Sequence, residues 1–234
     1  MRGLKRGDFM QYEIIGGNLP AVLCRLKRGE KIICQGGGMS WMDSTFKMET
    51  HTGGIGKMFG RAFTGESVFT NTYVAEADGE IAFASSFPGE IMAVEVHSGK
   101  SIIAQKSAFM AMEETVDMSV HFQQKVSGGF FGGEGFIMQK FTGNGIVFLE
   151  VDGAVKEYNL AKGEKKILDT GHLVMMEDTC TMSIEMVKGV KNMLFGGEGL
   201  FNTVVTGPGK IFVQTMPISN MASVIGRLIP RSGG

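Results

Sequence analysis

An all-β fold is predicted: three pseudo-equivalent β-rich repeats in one body, followed by a short C-terminal helix. Three observations predict it. The pentapeptide F-G-G-E-G occurs at Phe131–Gly135 and again at Phe195–Gly199, 64 positions later, and each copy precedes a T-G-x-G turn at Thr142–Gly145 and Thr206–Gly209. The pattern M-[DE]-x-T-x-x-M occurs three times, at Met42–Met48, Met112–Met118 and Met176–Met182, at steps of 70 and 64. Agreement of several positions on fixed offsets marks an internally repeated architecture. The third observation is alternation: Gly79-x-Ile81-x-Phe83, Gly145-x-Val147-x-Leu149 and Gly209-x-Ile211-x-Val213 each place apolar residues at every second position behind a turn glycine. That period of two is how half-buried strands read.

Taken in order, residues 1–16 form a lead-in that ends in a first strand over Met10–Ile15. Each repeat then opens with a glycine turn between short apolar strands. The turns are Leu26–Ile32, Val96–Ile102 and Leu160–Ile167, centred on Gly29, Gly99 and Gly163 with the same two steps. The M-[DE]-x-T-x-x-M strand follows, then a Gly-Glu pair (Gly65-Glu66, Gly133-Glu134, Gly197-Glu198), then the alternating strand. The repeats span 17–86, 87–151 and 152–216 of a single β domain, and 217–234 is a tail. Within the tail Ile218, Met221, Val224, Ile225 and Leu228 recur at helical spacing ahead of Pro230, which predicts a short helix. One unit of 65–70 residues cannot cover both faces of its own strands, so the three are expected to pack together.

These motifs carry a family resemblance. F-G-G-E-G with T-G-P-G-K-I-F-V-Q-T, D-T-G-H-L-V at Asp169–Val174 and G-E-S at Gly65–Ser67 resemble the widespread prokaryotic family related to the mitochondrial altered-inheritance/biogenesis protein. The resemblance runs over roughly Met10–Ser219. It implies a β fold likened to that of the tryptophan-binding RNA-attenuation (TRAP-like) proteins. The mitochondrial relative is associated with inner-membrane organisation, and the family supplies no agreed catalytic residues to carry over.

Composition narrows the function classes. Lys and Arg number 23 against 24 Asp and Glu, so no polyanion-binding surface is advertised, and nucleic acid is an unlikely partner despite Phe130, Phe131, Phe195 and Phe201. The 35 glycines are about twice the usual ~7% and fit many tight turns. Cys24, Cys34 and Cys180 are odd in number and lack C-x-x-C spacing, which reads as reduced thiols in a cytoplasmic protein. No apolar window reaches the ~18–20 residues that cross a bilayer, and no apolar segment follows the basic N-terminus. The 18 methionines, several at matched strand positions, read as core filler.

Few residues invite chemistry. Glu66, Glu134 and Glu198 at equivalent positions would form a cation-holding carboxylate ring if they converged on a pseudo-threefold axis; the simpler reading is that each caps its turn. His51, His121 and Glu185 each lie three residues past the last methionine of the repeated motif and make up a His₂Glu set, a known zinc constellation. His172, with Asp169 nearby in sequence, is a further binding candidate, but no G-x-S-x-G or Cys/His nucleophile pair accompanies it. Gly53–Met58 lacks the Ser or Thr of a phosphate-binding loop and the first glycine, where His51 stands. No cofactor is indicated. The expected function is that of a non-enzymatic binding or assembly protein, self-associating or holding a protein partner. The alternatives are a metal- or small-molecule-dependent enzyme using His51, His121 and Glu185, and attachment to a membrane surface through Ile218–Pro230 with Arg227 and Arg231.

Overall fold

The structure is a computed structural model, and it describes residues 10–50, 70–124, 135–186 and 201–228. Nearly all regular structure is β. A first strand, β1 (Gln11–Ile15), precedes three sets of six. The first set is β2 (Ala21–Leu26), β3 (Lys31–Gln35), β4 (Trp41–Met42), β5 (Phe46–Thr50), β6 (Thr70–Ala75) and β7 (Gly79–Ala84). The second is β8 (Gly89–Val96), β9 (Ile102–Gln105), β10 (Phe109–Glu113), β11 (Val116–Gln124), β12 (Phe136–Gly143) and β13 (Gly145–Asp152). The third is β14 (Val155–Leu160), β15 (Lys165–Asp169), β16 (Leu173–Glu177), β17 (Thr181–Met186), β18 (Phe201–Thr206) and β19 (Gly209–Gln214). A helix, α1 (Ile218–Leu228), follows, where the tail's helical spacing places it.

The strands form four sheets, in the orders β1-β2-β7-β4, β5-β6-β3-β10-β13-β8, β11-β12-β9-β16-β19-β14 and β15-β18-β17. The pairing in each set of six is the same: the first strand pairs the sixth, the third pairs the sixth, and the second and fourth both pair the fifth. Each set therefore supplies two groups of three strands. The two six-stranded sheets arise where the second strand of one set pairs the third strand of the next, β3 with β10 and β9 with β16.

The chain divides into two units. One takes residues 1–98, 109–117 and 142–150, and its two sheets enclose a core that includes Val22, Cys24, Ile32, Phe83, Ala111 and Phe148. The other takes 99–108, 118–141 and 151–234; its core includes Ile103, Phe136, Met138, Leu173, Met176 and Ile211. The unit boundaries cut through the second set of strands and do not follow the sequence offsets.

Gly29, Gly99 and Gly163 sit between the first and second strands of each set with φ of +90°, +82° and +79°, and a Cβ there would meet no neighbour. The requirement at these turns is conformational: left-handed φ is nearly free for glycine and costly for other residues. The methionines are only partly core. Met112, Met118 and Met176 are buried, but Met48 is 47% exposed. Edge position does not decide this, since β5 and β11 both lie at a sheet edge and Met118 on β11 is only 5% exposed. All three cysteines are free and buried. Burial pushes the Cys34 thiol up to about 12, against a smaller opposing pull from the Asn71 backbone. No helix among the described residues is long and apolar enough to cross a membrane.

Candidate functional site

The repeated M-[DE]-x-T motif and the repeated turn glycine prove to be two halves of one device. The motif's carboxylate accepts the backbone N–H of the residue after the glycine: Asp43 from Glu80 at 2.8 Å, Glu113 from Ile146 at 2.6 Å, and Glu177 from Lys210 at 2.9 Å. The threonine hydroxyl lies against the same glycine. A Cβ on Gly79, Gly145 or Gly209 would come within 2.5, 2.9 or 2.5 Å of the Oγ1 of Thr45, Thr115 or Thr179. The acid ties the start of the sixth strand to the end of the third, and only glycine leaves room for it.

In the first unit this latch borders a polar recess of about 800 Å³ lined by residues that include Arg25, Lys27, Lys31, Asp43, Glu80 and Glu113. Its charges are largely committed. Arg25 bridges Glu13 and Glu80, Lys31 pairs Glu49 at 3.7 Å, and Glu113 also accepts the Met10 N–H at 2.7 Å. Burial raises the Glu113 carboxyl above its ordinary range, and the N–H groups of Met10 and Ile146 pull it back only in part. Six carboxylates, Glu30, Asp43, Asp78, Glu80, Glu113 and Glu114, stand in the wall against three cations, Arg25, Lys27 and Lys31, so the recess is net acidic, and most of those acids already accept hydrogen bonds or pair with a cation. Nothing in the linear order of residues pointed to it.

His172 occupies the turn before β16 in the second unit. Its Nδ1 lies 2.8 Å from the Gln214 carbonyl oxygen, and its Nε2 lies 3.3 Å from the Asn220 amide nitrogen on α1. Nδ1 can only donate to a carbonyl, so the neutral ring accepts at Nε2 from the amide. Asp169 stands 4.0 Å from that same nitrogen. Gln214 continues the network: its side chain donates to the Gly171 oxygen at 2.8 Å and accepts the Asp152 N–H at 2.9 Å. Asp152 in turn accepts the Ile218 N–H at 2.9 Å, at the first residue of α1. His172 thus helps anchor the helix. The D-T-G-H signal was visible in the sequence; its partners, 42 and 48 positions away, were not.

Of the His₂Glu set, the structure describes His121 and Glu185. His121 is exposed on β11, at one edge of a six-stranded sheet, and Glu185 is exposed on β17, at one edge of the three-stranded sheet. His51 lies outside the described residues, as do Glu66, Glu134 and Glu198. Among the described residues no group of three His, Cys, Asp or Glu side chains is arranged to hold a metal. His121 has a different electrostatic setting: desolvation and the Lys140 ammonium push its pKa down, and Asp178 opposes them. Lys140 and Asp178 pair with each other at 3.4 Å. Lowering in the folded state means the unfolded chain takes up this proton first, so stability is full above about 6.5 and falls as the pH drops below it. Proton-detected titration should find the His121 midpoint below that of a model peptide. His121→Gln should reduce the loss of stability between pH 7.5 and 5; an unchanged pH slope would refute the assignment.

A family model described as mitochondrial biogenesis AIM24 matches residues 12–216. The chain belongs to this family. An uncharacterized protein from Streptococcus pyogenes serotype M6 is 27% identical over 222 residues, which is 91% of this chain and 88% of that protein. Among solved structures, the crystal structure of a protein from Streptococcus pyogenes is similar with a TM-score of 0.78 at 25% identity, covering 94% of this chain and all of that one. The AIM24 match begins within β1 and ends just past β19, so it takes in every strand and leaves α1 outside.

Proposed function

We propose that this AIM24-family chain is a non-enzymatic assembly protein of the cytoplasm, associating with copies of itself or with a protein partner. The observation that carries this reading is the outward apolar side of α1. Ile218, Val224, Ile225 and Leu228 are all exposed, Leu228 by 78%, while Asn220 of the same helix faces His172. An amphipathic helix ordinarily turns its apolar stripe to the core. Here Asn220 bonds to the body while the apolar side chains face outward. Sedimentation velocity and affinity capture with purified protein test the reading. Wild type should associate or retain a partner, and Ile225→Glu with Leu228→Glu should weaken that association at least about tenfold, as loss of two buried aliphatic contacts predicts. A wild type that stays monomeric at every concentration and retains no partner refutes it.

The same stripe supports a second reading, attachment to a membrane surface, because exposed apolar side chains on a helix, in a tail whose sequence also carries Arg227 and Arg231, suit an anionic interface. Flotation with phosphatidylcholine–phosphatidylglycerol vesicles separates the two. Binding that disappears when the chain is truncated at Pro217 would favour the membrane; no flotation leaves the protein-assembly reading.

A further inference from the structure

Two groups of three strands remain unjoined. Each six-stranded sheet is made by one β–β junction between consecutive sets, and both junctions have one register. Cys34, Ile33 and Ile32 of β3 face Ala111, Met112 and Glu113 of β10; Ala104, Ile103 and Ile102 of β9 face Met175, Met176 and Glu177 of β16. Both are antiparallel. Carried by the same steps of 64 and 70 to the two remaining strands, this register sets Leu168, Ile167 and Lys166 of β15 opposite Trp41, Met42 and Asp43 at β4. Among the described residues β15 and β4 are end strands of their sheets and are not paired with each other.

We propose that β15 of one copy pairs with β4 of a second copy, completing a six-stranded run β17-β18-β15-β4-β7-β2 across two chains, which β1 extends to seven strands at the β2 end. The order reproduces the two sheets already formed within the chain. Resting on the assembly reading above, this names the partner as the chain itself and the contact as a strand edge, separate from α1.

Three observations support it. The side chains at the matching positions of the joined sheets are buried, Ile33 at 4%, Ile103 at 1%, Ala111 at 0% and Met175 at 3%, whereas Ile167 is 64% and Trp41 48% exposed. Large apolar side chains at an open strand edge are what native proteins otherwise avoid. The charges also match. In both joined sheets the acid, Glu113 or Glu177, faces isoleucine; only at the unjoined pair does a cation, Lys166, stand opposite the acid, Asp43. Opposite charges directly across an antiparallel pair are favourable. Finally, β1 extends its sheet beyond β2, at the end away from β4, and so leaves the β4 edge clear. A head-to-tail contact of this kind gives a ring where its rotation closes, a two-chain one if the contact is made twice, and an open filament where it does not.

The decisive experiment mixes two single variants of the full chain, Trp41→Glu and Ile167→Glu, both at exposed positions where folding is expected to survive; circular dichroism checks this. Each variant alone should associate at least about tenfold more weakly than wild type in sedimentation velocity, keeping only the association that α1 supplies. An equimolar mixture should regain a two-chain species, because the Trp41→Glu copy keeps an intact β15 and the Ile167→Glu copy an intact β4. Variants that associate like wild type overturn the edge pairing while leaving assembly through α1 standing. So does a mixture with no two-chain species. A monomeric wild type whose β4 and β15 amides resist hydrogen exchange overturns it too, by showing that the chain pairs these edges internally. A monomer that also captures no partner overturns the assembly reading with it.

Discussion

Truncating Phe148 to alanine is expected to lower the unfolding free energy by about 3–5 kcal/mol, the range for deleting a fully buried aromatic side chain. Phe148 is 0% exposed in the middle of β13, within the core between the two sheets of the first unit. Its ring meets Tyr12 edge-on, at 5.2 Å between centroids and 74° between planes. Tyr12 belongs to β1, which is paired only with β2 among the described strands. The substitution therefore opens a cavity and removes the side chain on which the first strand rests. Beyond the shift in denaturation midpoint, amide exchange over Gln11–Ile15 should accelerate before that of β2. A midpoint loss under about 1 kcal/mol, or unchanged exchange in β1, would contradict this account of the core.

Glu113→Ala is expected to cost about 2–4 kcal/mol, since two backbone N–H groups, of Met10 and Ile146, lose their acceptor. Gly145→Ala should be costly as well: its Cβ would lie 2.8 Å from Val116 Cγ2 and 2.9 Å from both Glu113 Oε2 and Thr115 Oγ1. The informative quantity is their coupling. With Glu113 already truncated, part of the space that the Gly145 Cβ needs is free, so the double variant should be about 0.5–3 kcal/mol less destabilised than the sum of the two. Strict additivity would show that the acid and the glycine are not one device. The pH dependence has a definite sign. The Glu113 carboxyl is raised in the folded state, so its ionisation weakens the fold; that contribution is favourable below the unfolded value and is lost as the pH rises through the folded one. Glu113→Gln, which cannot ionise, should flatten the decline above about pH 4.5 while retaining one acceptor oxygen.

Much of this was legible in the chain and some was not, for reasons that can be named. The strand positions follow from local information, because alternation behind a glycine constrains a strand by its own residues. Gly29, Gly99 and Gly163 announced turns that do need left-handed φ, and Ile218 to Leu228 announced a helix. The acid of M-[DE]-x-T was equally visible, yet its partner stands 33 to 37 positions downstream, and hydrogen bonding at that range leaves no local pattern. His172 shows the same limit. A histidine beside an aspartate resembles a catalytic pair in sequence, and its ring is instead taken up by Gln214 and Asn220.

The sequence by itself determined the β class, the places of the turns, the offsets of 70 and 64 and the amphipathic tail. Each of these is set by side-chain period or by backbone freedom within a few residues. Only the tertiary structure decided which strands join across sets, which methionines lie inside, and which apolar residues face outward. Strand order and burial depend on what packs beside a strand, and residues at equivalent repeat positions, such as Ile103 and Ile167, end on opposite sides of that distinction at 1% and 64% exposure: β9 has β16 beside it, and β15, among the described strands, has only β18.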